Sequence, residues 1–313
     1  MSSLVAGLVE FLSTNEQDQT KPILALPRMI VENCTGCGLC VKTCPAQVLE
    51  MRNGKASIAH GDRCVQCGHC VAVCPVSALE DRYAGAEDTP VLDPKRLPSD
   101  SSLLVFFRSR RSVRHYRKKA ISRKVLEKIL DAGRYAPTAG NRQDVHHIVI
   151  TNPEKIAELR DMVFPSVIKM FSMFEKQALF PLLCVTMGTK NAKALREYVP
   201  LLERFRELWE KHGEDRVFWH APAIMLVHGP KWDDTVSFSC AAVLYQASLM
   251  AQCLNVGCCF NGLVQAAINR DAKIRRWAGI PWRHKCYGAM TLGYQQIKYR
   301  RLVRREPAKV TWR

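Results

Sequence analysis

A small cysteine-rich module followed by a larger domain of mixed α/β or α+β class is what the 313-residue sequence predicts. Three observations carry that expectation. The run C-x2-C-x2-C-x3-C-P occurs twice, at residues 34–45 and 64–75. The charge balance breaks near residue 100: residues 1–100 hold 9 Lys/Arg against 12 Asp/Glu, a net −3, and residues 101–313 hold 37 against 17, a net +20. Beyond that break, strand-like apolar runs alternate with stretches of helical apolar spacing.

The length suits about two domains. A hydrophobic share of 47% is enough for a real core and excludes a disordered chain. No apolar run reaches the ~18 residues needed to span a bilayer, so no membrane span is expected. The N-terminus, MSSLVAGLVEFLSTNEQD, lacks a basic leader and a long apolar core. Residues 1–29 therefore read as a tail or short helix rather than a signal peptide, and the expected location is cytoplasmic. Fourteen cysteines in a large chain without an export signal read as metal ligands rather than disulfides.

Residues 30–86 form the first module. Three thiolates at i, i+3 and i+6 on a turning loop wrap three corners of a cubic cluster, and the fourth must come from elsewhere. In two-cluster ferredoxins the last Cys of each run serves the other cluster. That assigns Cys34, Cys37, Cys40 and Cys74 to one 4Fe-4S cluster, and Cys64, Cys67, Cys70 and Cys44 to a second. Gly36, Gly38 and Gly68 keep side chains away from the clusters and free backbone N–H groups for the sulfurs. Zinc sites use paired hooks separated by a longer loop and fit this spacing less well. Residues 30–82 resemble a bacterial two-cluster ferredoxin domain, including the VLEM and SALE segments after each Cys-Pro. Such a module carries single electrons and implies a terminus elsewhere in the chain. The Pro-containing, apolar-poor stretch EDTPVLDPKRLPSDSS, residues 87–102, reads as a linker.

The domain 103–313 begins as helix, basic turn, helix. Ser122 is the expected N-cap of a helix whose apolar positions are Val125, Leu126, Ile129 and Leu130. PTAGN (137–141) is a turn and HHIVIT (146–151) a β-branched strand. Helical stretches follow at 153–163 and about 190–212. APAIMLVHG reads as a buried strand, residues 235–255 as a long apolar helix, and CYGAMTLGY (286–294) as a last strand.

RSRRSVRHYRKK (108–119) is the densest basic run. It lacks the aromatic interleaving of a single-strand platform and any helix-turn-helix or finger signature, which argues against nucleic acid. Guanidinium forks with a Ser hydroxyl suit a phosphate instead. RRSVR (110–114), APTAGNRQ (136–143), GCCFNG (257–262) and the basic tail YRRLVRREP (299–307) together resemble the nitroreductase family, in its ferredoxin-containing branch. The resemblance implies an α+β fold and a homodimer with one FMN in each of two interface pockets. It gives Arg110, Arg111, Ser112 and Arg114 the FMN phosphate and ribityl chain. It gives Pro137, Thr138, Ala139, Asn141 and Gln143 the ring edge. Asn261 and Gly262 fall near the flavin N5, and Arg301 returns to the phosphate. Two departures fall on the substrate side: Asp144 and Val145 stand where the family often has Pro and an aromatic, and Asn261 where many members carry Glu.

No G-x-G-x-x-G follows a strand, so no Rossmann site is expected. The implied donors are a ferredoxin or NAD(P)H docking directly on the flavin, and the implied acceptor is a small nitroaromatic, quinone or enone. No dedicated side-chain base is expected, because the flavin does the chemistry. The first rival is an electron carrier whose FMN relays current to a partner protein. Cys184, Cys240, Cys253, Cys258, Cys259 and Cys286 read as core, with Cys258 and Cys259 beside the flavin. His146 and His147 read as structural or surface residues, Tyr116 and Tyr135 as packing residues, and His69 as an exposed residue in a cluster loop.

Overall fold

The computed structural model describes residues 26–81, 89–174 and 176–313. The chain divides into two compact units between Leu97 and Pro98. Most of the stretch read as an N-terminal tail lies outside the described residues; its last part, Arg28–Met29, is strand β1.

The first unit is an internal repeat. Each half runs from a 3-10 turn (Val31–Asn33, Gly61–Arg63) through a cysteine loop into a short helix, α1 (Leu39–Thr43) or α2 (His69–Ala72), and then into an extended segment. Gly38 and Gly68 precede these helices with the same backbone, φ 71° and ψ 0°. That left-handed geometry is open to glycine without steric cost. Strands β2 (Leu49–Arg52) and β3 (Lys55–Ile58) pair as a hairpin across Asn53-Gly54, both at positive φ, the sequence such tight turns prefer. β1 pairs antiparallel with β4 (Leu79–Glu80), tying the two ends of the repeat. Cys40, Leu49, Ala56 and Leu79 form its buried centre.

The second unit opens with α3 (Asp100–Ser109), capped by the Ser99 side chain accepting from Ser102 N–H. The helix thus begins inside the stretch expected as linker, because Ser99 satisfies its first orphan donors. There follow α4 (Arg123–Arg134), β5 (His146–Ile150), α5 (Pro153–Ser172), α6 (Phe180–Met187), α7 (Thr189–Arg196) and α8 (Val199–His212). Then come β6 (Ala223–Pro230), α9 (Thr235–Cys253), β7 (Val256–Phe260), α10 (Gly262–Arg270), α11 (Ala272–Trp277) and β8 (His284–Tyr294). The four strands form one antiparallel sheet in the order β5-β6-β8-β7, which makes the unit α+β.

β6 shows why its sequence is apolar throughout. Ile224 and Leu226 enter a core with Leu159 and Val163 of α5 and Ile268 of α10. Ala223, Met225 and Val227 enter the opposite core with Ile129 of α4 and Val243 and Ala247 of α9. Helices cover both faces, and each large side chain buried there contributes about 1.5–3 kcal/mol. Among the described residues only α9 is long and apolar enough to cross a membrane by length and composition. The sequence expectation had no such run, yet Val236, Cys240, Val243 and Ala247 build one side of this helix into the core.

Candidate metal centres and a cationic site on the sheet

The eight repeated cysteines gather in two groups of four. Cys34, Cys37 and Cys40 line one cavity with Cys74, walled by Met29, Ala56 and Leu79. Cys64, Cys67 and Cys70 line another with Cys44, walled by Val48, Leu49 and Val71. The cross-over of the fourth cysteine is therefore a property of the fold. It arises because each Cys-Pro carries the chain away from its own loop and towards the other half. Backbone donors point at sulfur in matching places. Val48 N–H donates to Cys44 Sγ at 3.3 Å and Ala78 N–H to Cys74 Sγ at 3.2 Å. N–H groups of Ala56 and Gly36 hold the Cys34 thiol below its ordinary value. Among the described residues no three His, Cys, Asp or Glu side chains close in tightly enough to hold a single metal ion. Four thiols spread round an apolar cavity fit a multi-atom cluster; a zinc ion, with Zn–S bonds of about 2.3 Å, draws its sulfurs together.

The basic run of the second unit is laid along the sheet. Ser112 bridges Cys258 of β7, and Val113 N–H donates to Cys258 O at 2.9 Å. Gly257 makes the approach possible: a Cβ there would lie 2.7 Å from Val113 Cγ1. Extended backbone alternates its side chains, and the alternation sorts the motif. Arg114, Ser112 and Arg110 surround the Cys259 thiol, which burial pushes up and these three groups pull back. Arg111 lines a cavity together with Arg110 and donates to the carbonyls of Arg108, Arg110 and Arg301. Arg110 Nη1 is buried with no hydrogen-bond partner. An anionic oxygen placed there would supply it, so this face fits a phosphate-bearing group. The Arg301 carbonyl, held by Arg111 Nη2 at 3.5 Å, ties the basic tail to this run by its main chain. Asn261 caps α10 by accepting from Val264 N–H and donates through Nδ2 to Val217 O at 2.7 Å. Beside it, Gly262 opens on free space, with nothing within 4 Å of a Cβ.

The residues expected at the ring edge lie elsewhere. Ala139 N–H donates to Ser239 Oγ near the start of α9, whereas Gln252 near its end donates to Phe106 O and Ser109 Oγ. Thirteen residues separate Ser239 from Gln252, roughly 20 Å along the helix. Thr138 and Gln143 line a separate cavity with Glu127, Arg134 and His147. Pro137 and Asn141 belong to the same turn. One chain thus brings together Arg110, Ser112, Arg114, Asn261, Gly262 and the Arg301 main chain, but not residues 137–143.

Other expectations divide. Cys240, Cys258, Cys259 and Cys286 are buried, but Cys253 is exposed at the solvent side of α9. Tyr116 is buried, donating to Val113 O at 2.6 Å and sharing a 2.9 Å hydrogen bond with Thr291. Tyr135 is 70% exposed and is not a packing residue, because it lies at the solvent-facing end of α4. His146 joins His228 and His284 in a cluster from β5, β6 and β8, with ring centroids 5.0–5.2 Å apart. Neither this cluster nor Trp219 was legible in the sequence; the Trp219 ring lies 5.7 Å from the Arg114 guanidinium carbon and 5.3 Å from that of Arg216. No local spacing marks either group; sheet register and a turn create both.

Residues 107–294 match the model of the nitroreductase family, and residues 33–79 match that of a 4Fe-4S dicluster domain. No curated protein matches the chain. Solved structures similar to it include a nitroreductase with bound FMN from Bacteroides fragilis NCTC 9343, at 24% identity, covering 68% of this chain and 100% of that one, with a TM-score of 0.49. A nitroreductase with bound FMN from Desulfitobacterium hafniense DCB-2 is 20% identical, covers 67% and 96%, and has a TM-score of 0.49. A BluB-like flavoprotein from Clostridium difficile 630 is 16% identical, covers 65% and 94%, and has a TM-score of 0.45.

Proposed function

The chain belongs to the nitroreductase family, and from that premise we propose that it is an FMN-dependent iron–sulfur oxidoreductase that reduces a small electrophile such as a nitroaromatic, quinone or enone. The observation that carries the proposal is the buried, unpartnered Arg110 Nη1 beside Ser112 and Arg114, in a chain whose other unit gathers eight cysteines four by four. When bound, two 4Fe-4S clusters and FMN supply single-electron carriage and its conversion into a two-electron, hydride-like reduction.

The chain's own residues hold and orient these groups. Cys34, Cys37, Cys40 and Cys74 ligate one cluster, and Cys64, Cys67, Cys70 and Cys44 the other. N–H donors such as those of Val48 and Ala78 add hydrogen bonds at sulfur, which favour the more negative state. Arg110 and Ser112 grip the FMN phosphate with charge-assisted hydrogen bonds, and Arg114 lies further along the same face. Gly262 leaves room for the ring. Residues 137–143 complete the site from a second copy. A two-fold axis through the middle of α9 sets the start of one copy's helix beside the end of the other's, which joins the two half-sites. Reduced ferredoxin or NAD(P)H supplies the electrons.

Anaerobically purified protein is expected to hold about eight iron atoms and one FMN per chain. In stopped flow with reduced ferredoxin, cluster absorbance should fall before the flavin bleaches. Protein replete in iron but without flavin overturns the proposal. Flavin that returns its electrons only to a protein partner, and to no small acceptor, supports the carrier rival.

A further inference from the structure

The turn 214–220 and the cationic face beside it make a further cavity, of about 430 Å³, bounded by Arg114, His115, Lys118, Arg216, Trp219 and His220. We propose that this cavity is the acceptor subsite and that it selects planar aromatic acceptors carrying a carboxylate or similar anionic group, with Trp219 as the positioning residue of its cationic wall. The proposal rests on the flavoprotein reading above and deepens it.

Location is the first argument. Arg114 both faces the Cys259 thiol and lines this cavity. Asn261, next to the open Gly262, reaches across to Val217 O at 2.7 Å. The turn and the expected flavin edge are therefore one hydrogen-bonded unit.

Conformation is the second. Trp219 and His220 stand in the left-handed region, with φ 59° and φ 53°. His enters that region more readily than most residues, but a bulky Trp is an outlier there and persists only where the surroundings overdetermine it. Asp215, 4% exposed, does so. Its Oδ1 accepts from Val217 N–H at 3.0 Å and Phe218 N–H at 2.7 Å, and its Oδ2 from His220 N–H at 3.4 Å. Asp215 N–H in turn donates to His220 Nε2 at 3.2 Å. Phe205 of α8 abuts the Trp219 ring edge-on at 6.3 Å. A strained backbone at Trp219 thus holds the indole between two arginines.

Charge is the third. The Trp219 ring attracts the guanidinium groups of Arg114 and Arg216. Two carboxylates also lie here, and both are engaged: Glu214 pairs with Arg216, and Asp215 serves the turn. Among the described residues no carboxylate stands within ion-pair distance of Arg114 or Lys118. An entering carboxylate meets two uncompensated cations. Its aromatic ring meets indole and imidazole faces suited to stacking, His115 lying 6.4 Å from Trp219.

The test is a titration of the oxidised, flavin-loaded full-length protein with benzoate and with benzamide, followed by the flavin absorption band and by calorimetry. Benzoate is expected to bind about tenfold tighter than its neutral isostere. Trp219→Leu should remove that preference and leave flavin content unchanged, Trp219→Phe should restore most of it, and Lys118→Gln should weaken benzoate alone. Equal binding of the two ligands by the parent protein overturns the proposal, as does a Lys118→Gln variant that weakens both alike. Protein that takes up no flavin defeats the flavoprotein reading as well; flavin-loaded protein that does not discriminate defeats the subsite alone.

Discussion

Cys74 shows at the scale of one residue how the two halves of the first unit depend on each other. It stands 34 residues beyond Cys40, the nearest of its expected partners Cys34, Cys37 and Cys40, yet it lines their cavity. Cys74→Ser is expected to lose about half the iron, since one 4Fe-4S cluster of two goes. Under mild alkylation Cys34, Cys37 and Cys40 should then become reactive while Cys64, Cys67 and Cys70 stay protected. The opposite pattern would mean that each run closes on its own cluster. These ligands were legible in sequence because their spacing is local and their chemistry demands it. His228 was not, because only pairing of β5, β6 and β8 gathers it with His146 and His284. Burial pushes its pKa down to about 4, with His146, His284 and His147 adding to the effect, and its Nδ1 lies 2.9 Å from His284 Nδ1. The unfolded chain takes that proton near pH 6.5. Between these values the unfolded state binds more protons, so stability is full above about pH 6.5 and falls as pH drops towards 4. Denaturant midpoints followed by tryptophan fluorescence should show a loss of about 2 kcal/mol from pH 7 to pH 5, and His228→Gln should flatten that slope.

At the scale of elements, the sequence marked those with a clear period or cap and missed those whose limits depend on tertiary contact. The α4 helix matches its expected apolar positions, Leu126 and Ile129 being buried behind Ser122. β6 was legible as a wholly apolar run. β7 was not called a strand: VGCCF is short and apolar, and only its pairing with β8 on one side and the approach of residues 110–114 fix it. α10 and α11 were not legible because their starts are set by the single cap residues Asn261 and Asp271. The cap at Asn261 does two things at once, ending β7's path and tying the 214–220 turn. Asn261→Ala therefore removes a helix cap and leaves Val217 O buried without a donor. The expected cost is about 2 kcal/mol in chemical denaturation, with weakened flavin retention and unchanged iron content. Gly257→Val drives two methyl groups into Val113 and should lift residues 110–114 from the sheet. The variant is expected to fold its iron–sulfur unit and purify without flavin. Full flavin occupancy would show that the motif does not need its seat on β7.

At the scale of the whole molecule, the two groups of residues expected at the flavin lie about 20 Å apart along α9, so the proposed flavin binding depends on the proposed assembly. The sequence marked both groups of residues by motif but gave no sign that about 20 Å of helix parts them, because motif reading carries no distance. α9 also leaves an apolar stripe in solvent on the side away from the core. Phe238 is 72% exposed and Tyr245 44%, with Ala241 exposed between them. Residues at i, i+3 and i+7 share one helix face, and a contiguous exposed apolar stripe of this kind suits a contact with a second copy. If two copies meet along this stripe, dimer formation and flavin binding are one event. A Phe238→Lys, Tyr245→Lys double variant is expected to sediment as a monomer, to keep its iron, and to lose FMN, while the parent protein sediments as a dimer with one FMN per chain. The charge change is confined to the stripe, touching none of the cysteines or the arginines of the phosphate face. Both losses should therefore appear together, and adding excess FMN should restore neither. A monomer that still holds FMN tightly would place the whole flavin site within one chain and leave residues 137–143 without the role their motif suggests.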